Sequence, residues 1–523
     1  MTSLYKRERL IKQIQENSEW DVIVIGGGAT GLGVALDCTT RGYKTLLLEQ
    51  VDFSKGTSSK STKLLHGGVR YLAQGNIDLV KEALYERGLL YWNAPHLVRR
   101  QSFIIPNYNC WDNFFYAVGL KVYDLLAGKL SFGKSTRINK KETISRLETI
   151  KNEHLKGGVV YHDGQFDDSR LAINIAQTCI ENGATVLNHF EVKQLLKNNN
   201  GIVNGVIAKD IETNISYNLN AKVVINATGI FTDEILQMDN VGAKNIVRPS
   251  QGIHLVLDKS FLPGNDAIMI PKTDDGRVLF LVPWHNRVVV GTTDTLLDNH
   301  SLEPKALAEE VDFIISTANK YLNKKVCKED VLSIYAGLRP LAATKDKSEK
   351  TKEISRSHKI IVSNSELITI TGGKWTTYRR MAEDTVNKAI AIGKLPNVSC
   401  KTENLRIHGS KVSLNTTPHL KVYGSDQDHI LKLIKETPEL EEKLHLRLAY
   451  TKAEIIWAIR NEMARTVDDI LARRVRALFL DARAAIEIAP LVAEMLAKEL
   501  SKDAVWQQQQ IKEFNTIANQ YVL

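Results

Sequence analysis

Apolar positions in this chain follow three regimes. In the first, short runs rich in apolar residues end on glycines: VIVI at 22–25 leads into GGGATG, VVIN at 223–226 into ATG, and LITIT at 367–371 into GG. Runs of that length bounded by turn residues predict strands buried on both faces, as in a parallel sheet. The stretch between the first run and TLLLE at 45–49 has helical spacing, so residues 20–50 read strand, turn, helix, strand. In the second regime, GIHLVLD, GRVLFLVPW and RVVVGTTDT, all within 245–295, read as strands with short turns. They predict an antiparallel sheet reaching to about residue 340 and roofing a pocket. In the third, AEIIWAIRNEMARTVDDILARRVRALFLDARAA has apolar residues at helical spacing and no glycine. The expected architecture is α/β: a Rossmann-like nucleotide domain with an antiparallel-sheet substrate domain over 19–399, then a separate helical domain over 400–523.

The first glycine turn carries chemistry. Gly26, Gly28 and Gly31 form G-x-G-x-x-G between a strand and a helix. In such a motif the first glycine permits the turn, the second lets backbone approach a pyrophosphate, and the third lets helix pack on strand. Glu49 ends the next strand 18 residues after Gly31, placed to accept from a ribose hydroxyl. NAD and FAD both fit this unit. Three strand-to-glycine turns, the second at Thr228-Gly229 and the third at Gly372-Gly373, suit a long cofactor held at several points, which favours FAD. The hydroxyl-rich stretch GTSSKSTKLLHGG (56–68) then lies along its middle, with Ser58, Ser59, Thr62, His66 and Gly67 as candidate contacts.

Charge and composition narrow the class. The 523 residues are 43% hydrophobic and 25% charged, which excludes a disordered chain. No stretch approaches the length of a membrane span, and the N-terminus lacks the features of a signal or transit peptide. Five dispersed cysteines predict a reducing compartment and no metal site. The net charge of +9 suits an anionic substrate or membrane surface; no basic block with interleaved aromatics points to nucleic acid. Within 1–18, Leu4, Leu10, Ile11 and Ile14 alternate with Lys6, Arg7, Arg9 and Lys12. This segment suits either an anionic membrane interface or a helix packed on the protein's own body.

The motifs GGGATGLGVALD, SKSTKLLHGGVRYL, YHDGQFDDSRL, PSQGIHLVL, DGRVLFLVPW, VVGTTDT, AGLRPL, ISRSHKI and GGKWTTYRRMAEDT occur in this order. Together they resemble the FAD-dependent glycerol-3-phosphate dehydrogenases, within the fold class of D-amino-acid oxidase, and the GGGATG and GGKWTTYR variants look more like the mitochondrial-type branch. The likeness implies oxidation of glycerol 3-phosphate to dihydroxyacetone phosphate, with hydride passing from C2 to FAD and electrons to a quinone. An oxidase that makes hydrogen peroxide is the alternative, and a non-catalytic redox sensor is a third reading. The resemblance implies Arg339, Arg356 and Lys374 as substrate contacts and His254 as the base; Arg70, Tyr71 and Thr376 are further candidate substrate contacts, and Arg339 and His66 further candidate catalytic residues. It adds Val192, Gly373, Lys374 and Thr376 to the FAD contacts. Arg277 reads as a structural ion-pair residue, and Asp168 as the N-cap of a helix beginning near Arg170 rather than a catalytic acid. The absence of an EF-hand loop and of a transit peptide predicts a bacterial enzyme, cytoplasmic and peripherally attached to the inner face of the cell membrane; a homodimer is the expected assembly.

Overall fold

The computed structural model describes residues 4–17, 19–69, 72, 75–274, 276–342, 358–411 and 418–523. Two sheets organise it. The first holds the nucleotide motif. Its parallel strands Ile368–Thr371, Ser216–Asn226, Glu19–Ile25, Thr45–Leu48 and Thr185–Leu187 lie side by side in that order. The apolar runs seen in the sequence are these strands. They are buried on both faces because helices Ala29–Thr40, Asp168–Glu181 and Tyr378–Ile392 belong to the same core. All three glycine turns therefore fall at the carboxyl ends of adjacent parallel strands, the edge where such sheets bind ligands.

Among the described residues the second sheet has ten strands. Its spine is Val247–Asp258, paired antiparallel with Val331–Ala342 on one side and Arg287–Gly291 on the other. This spine falls within 245–340, and the long pair Val98–Asn107 and Gly157–Phe166 extends the sheet from a preceding part of the chain. Ala267–Ile270 joins the two halves by pairing parallel to Val98–Asn107.

Residues beyond 400 form the expected helical domain, and it packs closely on the second sheet. Lys452–Asn461, Ala477–Leu480, Ala482–Leu500 and Ala504–Ala518 share one apolar cluster with Val256, Trp284, Val289 and Tyr335 of the second sheet. Buried ion pairs reinforce the seam: Arg170 to Glu462 in a bidentate pair at 2.7 Å, and Asp52 to both Arg473 and Arg474.

The N-terminal helix Arg7–Glu16 settles the two readings of its stripe. Leu10 and Ile14 are buried in the nucleotide-domain core, and Arg7 pairs with Asp210 at 2.6 Å. The apolar face is occupied by the protein itself, so this helix does not offer it to a membrane. Among the described residues no helix is long and apolar enough to cross a membrane.

Candidate functional site

Two connected cavities lie between the sheets. The first runs along the glycine turns, lined by Gly26, Gly28, Glu49, Ser58, Val192, Thr228, Gly229, Gly373 and Lys374. The glycines divide the labour. Gly26 adopts φ +107°, and a Cβ there would sit 2.7 Å from the Ala227 carbonyl oxygen. A Cβ on Gly31 would overlap the Gly26 carbonyl oxygen, so this position serves the helix–strand packing expected of it. A Cβ on Gly28 would meet only the Ser58 hydroxyl at 3.2 Å; the space it faces is the cavity. Glu49 is half-buried and accepts from the Gly27 and Val51 amides at 2.6 and 2.9 Å. Burial pushes its carboxyl up against the pull of those two amides. A carboxylate at the strand end, a helix N-terminus and a cavity-facing glycine are the donor and acceptor set a dinucleotide requires, so the residues present fit FAD.

The second cavity is lined by Thr62, His66, His254, Arg339, Gly373, Lys374 and Thr376, and meets the first at Gly372, Gly373, Lys374 and Trp375. The loop 56–66 is fastened across it. Thr57 donates to the Leu338 carbonyl at 2.5 Å, the Trp375 indole donates to the Ser58 carbonyl at 2.8 Å, and Lys60 pairs with Glu303 at 2.6 Å. Arg339 extends from Val331–Ala342 and is held by the Gln251 and Thr293 carbonyls, the Thr292 hydroxyl and Asp294. His254 sits on the facing spine strand with Nε2 2.8 Å from the Thr62 hydroxyl. Burial, then the cations Lys63 and Arg339, hold this imidazole well below the usual histidine range, so it is neutral at physiological pH. A cluster of cations beside one neutral histidine can bind an anion and accept a proton.

A third hollow continues from Thr62, His66, Phe280 and Arg339 into apolar surroundings formed by Phe103, Tyr161, Met269 and Val278. Arg277 opens onto it with its guanidinium 5.0 Å from the Phe313 ring centre.

Several expected contacts lie elsewhere. Ser59 is buried in the turn Thr57–Ser59 and lines none of these cavities. Gly67 faces Leu84 and the Tyr123 hydroxyl, to which its amide donates, while its neighbours His66 and Gly68 line the third hollow. Ser58 does line the first cavity, but its hydroxyl accepts from the Ala29 amide and so occupies part of the helix N-terminus. Asp167, not Asp168, caps the helix Asp168–Glu181, accepting from the Arg170 amide; Asp168 instead pairs with Lys63 and Arg476. Arg70, Tyr71 and Arg356 lie outside the described residues. Trp375, which lines both main cavities, received no role from the sequence although it directly follows the Gly-Gly-Lys turn.

A model described as FAD dependent oxidoreductase matches residues 21–379, and one described as the C-terminal domain of alpha-glycerophosphate oxidase matches 363–510. The chain is 39% identical over 541 residues to the mitochondrial glycerol-3-phosphate dehydrogenase of Homo sapiens, covering 97% of this chain and 74% of that protein. Over 565 residues it is 39% identical to the enzyme of the same name from Schizosaccharomyces pombe, covering 95% and 87%. The solved glycerol-3-phosphate dehydrogenase of Bacillus halodurans, complexed with FAD, superposes with a TM-score of 0.81 at 30% identity, covering 100% of this chain and 99% of that one. The L-alpha-glycerophosphate oxidase of Mycoplasma pneumoniae, at 17% identity and a TM-score of 0.55, shares the fold alone.

Proposed function

The chain belongs to the FAD-dependent glycerol-3-phosphate dehydrogenases, and from that premise we propose that His254 takes the C2 hydroxyl proton while Arg339 and Lys374 hold the phosphate. When bound, FAD supplies the acceptor for the C2 hydride. The observation that carries this reading is one cavity in which His254, His66, Arg339 and Lys374 converge, opening onto the nucleotide channel at Gly373-Lys374. Arg339 brings a planar fork suited to phosphate oxygens and Lys374 a point charge. Thr62 holds Nε2 of His254 at the cavity wall, where a neutral imidazole can accept the hydroxyl proton as the carbonyl forms. His66, in the loop shared with the apolar hollow, lies between substrate and exit side. Arg356, Arg70 and Tyr71 complete the proposed substrate set.

The electrons pass on to a quinone at an anionic membrane surface on the inner face of a bacterial cell membrane, and the enzyme works there as a homodimer. Two features support the quinone and membrane parts. The hollow beside His66 sets Phe103, Tyr161, Met269 and Phe280 among Asp163, Arg277, Asp294 and Arg339, which suits a planar ring with polar edges. The helix Cys110–Ala127 exposes Val118, Val122 and Leu125 on one face, Leu125 at 79%, beside exposed Lys121, with Lys129 in the turn that follows. Exposed apolar residues edged by lysines suit an anionic interface.

Anaerobic reduction by glycerol 3-phosphate, followed by re-oxidation with a soluble quinone analogue or with oxygen, tests the reading. The flavin should be bleached by substrate and restored much faster by quinone. Failure to bleach would remove the substrate assignment. Stoichiometric peroxide at a matching rate with oxygen would make the protein an oxidase.

A further inference from the structure

Three parts of the chain build a wall against His254 that does not itself line the cavities. The Tyr335 ring stacks on the imidazole with centroids 4.8 Å apart and planes at 16°. Its hydroxyl donates to the Ser61 carbonyl at 3.0 Å. Lys63, wholly buried, sits in a cage of rings with Nζ 5.1 Å from the centre of Tyr335, 5.3 Å from Trp284 and 5.0 Å from Phe479. Its ammonium donates to the Ser59 carbonyl at 2.6 Å and to Asp168 at 2.7 Å, and Arg476 holds the other oxygen of Asp168 at 3.0 Å. Lys63 also adopts φ +63°, a left-handed conformation unusual for a lysine. A buried ammonium and a strained backbone at one residue are costs a leucine in extended conformation would avoid, and such costs gather where function requires them.

We propose that Lys63 is a positioning residue for His254: with the Tyr335 ring it fixes the imidazole plane, and with its charge it sets which form of the imidazole meets the substrate. This rests on His254 being the base. The geometry gives the size of the effect. Nζ lies 5.1 Å from the Tyr335 centre, itself 4.8 Å from the imidazole centre, so the charge is within about 10 Å of the imidazole. At an effective dielectric of about 20, a unit charge at that range moves a proton equilibrium by about one pH unit. Burial brings Lys63 itself down to about 7, with Asp168 opposing the fall, so the charge is present below neutrality, where His254 would otherwise take a proton. Arg339, on the strand Val331–Ala342, pushes the same way. Lys60, His66 and Lys374 share the cavity, Asp294 pairs with Arg339, and burial keeps the Tyr335 phenol neutral.

The test uses flavin-loaded Lys63→Met, Tyr335→Leu, Tyr335→Phe and His254→Asn beside the wild type. Single-turnover anaerobic flavin reduction is followed against pH. Separately and without substrate, hydrogen–deuterium exchange at C2 of the His254 ring is read by mass spectrometry. Lys63→Met should raise the His254 midpoint and the acid limb of the rate together, by about one pH unit. Tyr335→Leu should lower the plateau rate about tenfold or more, as expected of a misplaced base, and Tyr335→Phe, which keeps the ring, should restore most of it. A folded Lys63→Met with both midpoints at their wild-type positions overturns the proposal. If that variant does not fold, equal plateau rates in the two Tyr335 variants overturn it instead. His254→Asn separates the layers: a wild-type rate there removes the base, whereas a slow His254→Asn with unmoved Lys63→Met midpoints removes the role of Lys63 alone.

Discussion

Asp52→Ala should cost about 3–5 kcal/mol of stability, the range for removing one partner from a buried ion pair. Asp52 is fully buried and meets Arg473 Nε at 2.5 Å, Arg474 Nη1 at 2.6 Å and Arg474 Nη2 at 2.9 Å. Arg473 keeps Asp468 and Asp469 when Asp52 is lost, but the remaining contacts of Arg474 are the Glu462 and Asp469 carbonyls. The loss is therefore dominated by one stranded guanidinium, and Asp52→Leu combined with Arg474→Met should recover part of it. The pH dependence has a definite sign. Burial opposes ionisation of Asp52, yet Arg474 and Arg473 hold its carboxyl far below the usual carboxylate range. Its contribution is then fully present above the unfolded value of about 3.9 and is lost only as pH falls toward the folded one. Urea unfolding of the FAD-saturated proteins, followed by tryptophan fluorescence, measures the gap between wild type and variant. That gap should stay constant from pH 7 to about pH 4. A gap below about 1 kcal/mol, or one that closes between pH 7 and pH 5, would refute the assignment of stability to this pair.

Gly28→Val should fold with near wild-type stability yet lose FAD, because its side chain enters the channel, whereas Gly31→Val should lose both through collision with the Gly26 carbonyl; flavin absorbance per protein and thermal melts separate the two. Arg339→Ala and Lys374→Ala should each lower kcat/KM for glycerol 3-phosphate by about 2–4 kcal/mol and narrow the preference over glycerol, and unchanged preference in both would remove the phosphate role. Leu125→Glu with Val122→Glu should reduce binding to anionic vesicles and turnover with membrane quinone while leaving turnover with a soluble dye intact; equal vesicle binding would place the contact elsewhere.

The parallel sheet and its ligand edge were legible because their signals are local. An apolar run, a glycine turn and an amphipathic helix follow one another within about thirty residues, and each obeys a short-range rule. His254 and Arg339 came from the resemblance rather than from local rules, and the pairing of Val247–Asp258 with Val331–Ala342 puts their strands side by side. The orientations of Ser59 and Gly67 were not legible because a hydroxyl-rich loop looks alike on both sides. Nothing in TSSKSTKLLHGG says which residues turn toward the channel and which toward Leu84 and Tyr123. The shift of the cap from Asp168 to Asp167 is of the same kind, since two adjacent aspartates offer equal caps until tertiary partners claim one of them.

The helical region beyond residue 400 shows where local reading stops. Its periodicity announces helices, and nothing in that periodicity reveals that Phe479 and Arg476 end against the wall of the site. Yet Phe479 packs on Tyr335 with centroids 4.9 Å apart, and Arg476 shares Asp168 with Lys63. The short helix Ala477–Leu480 is therefore tied to His254 through one ring stack and to the loop 56–66 through one carboxylate. A residue in that helix and a residue in that loop act on the same imidazole although more than 400 positions separate them. Disturbing either should show first in the behaviour of that imidazole, because the buried ring stack and the shared carboxylate leave little room for the wall to yield without moving His254.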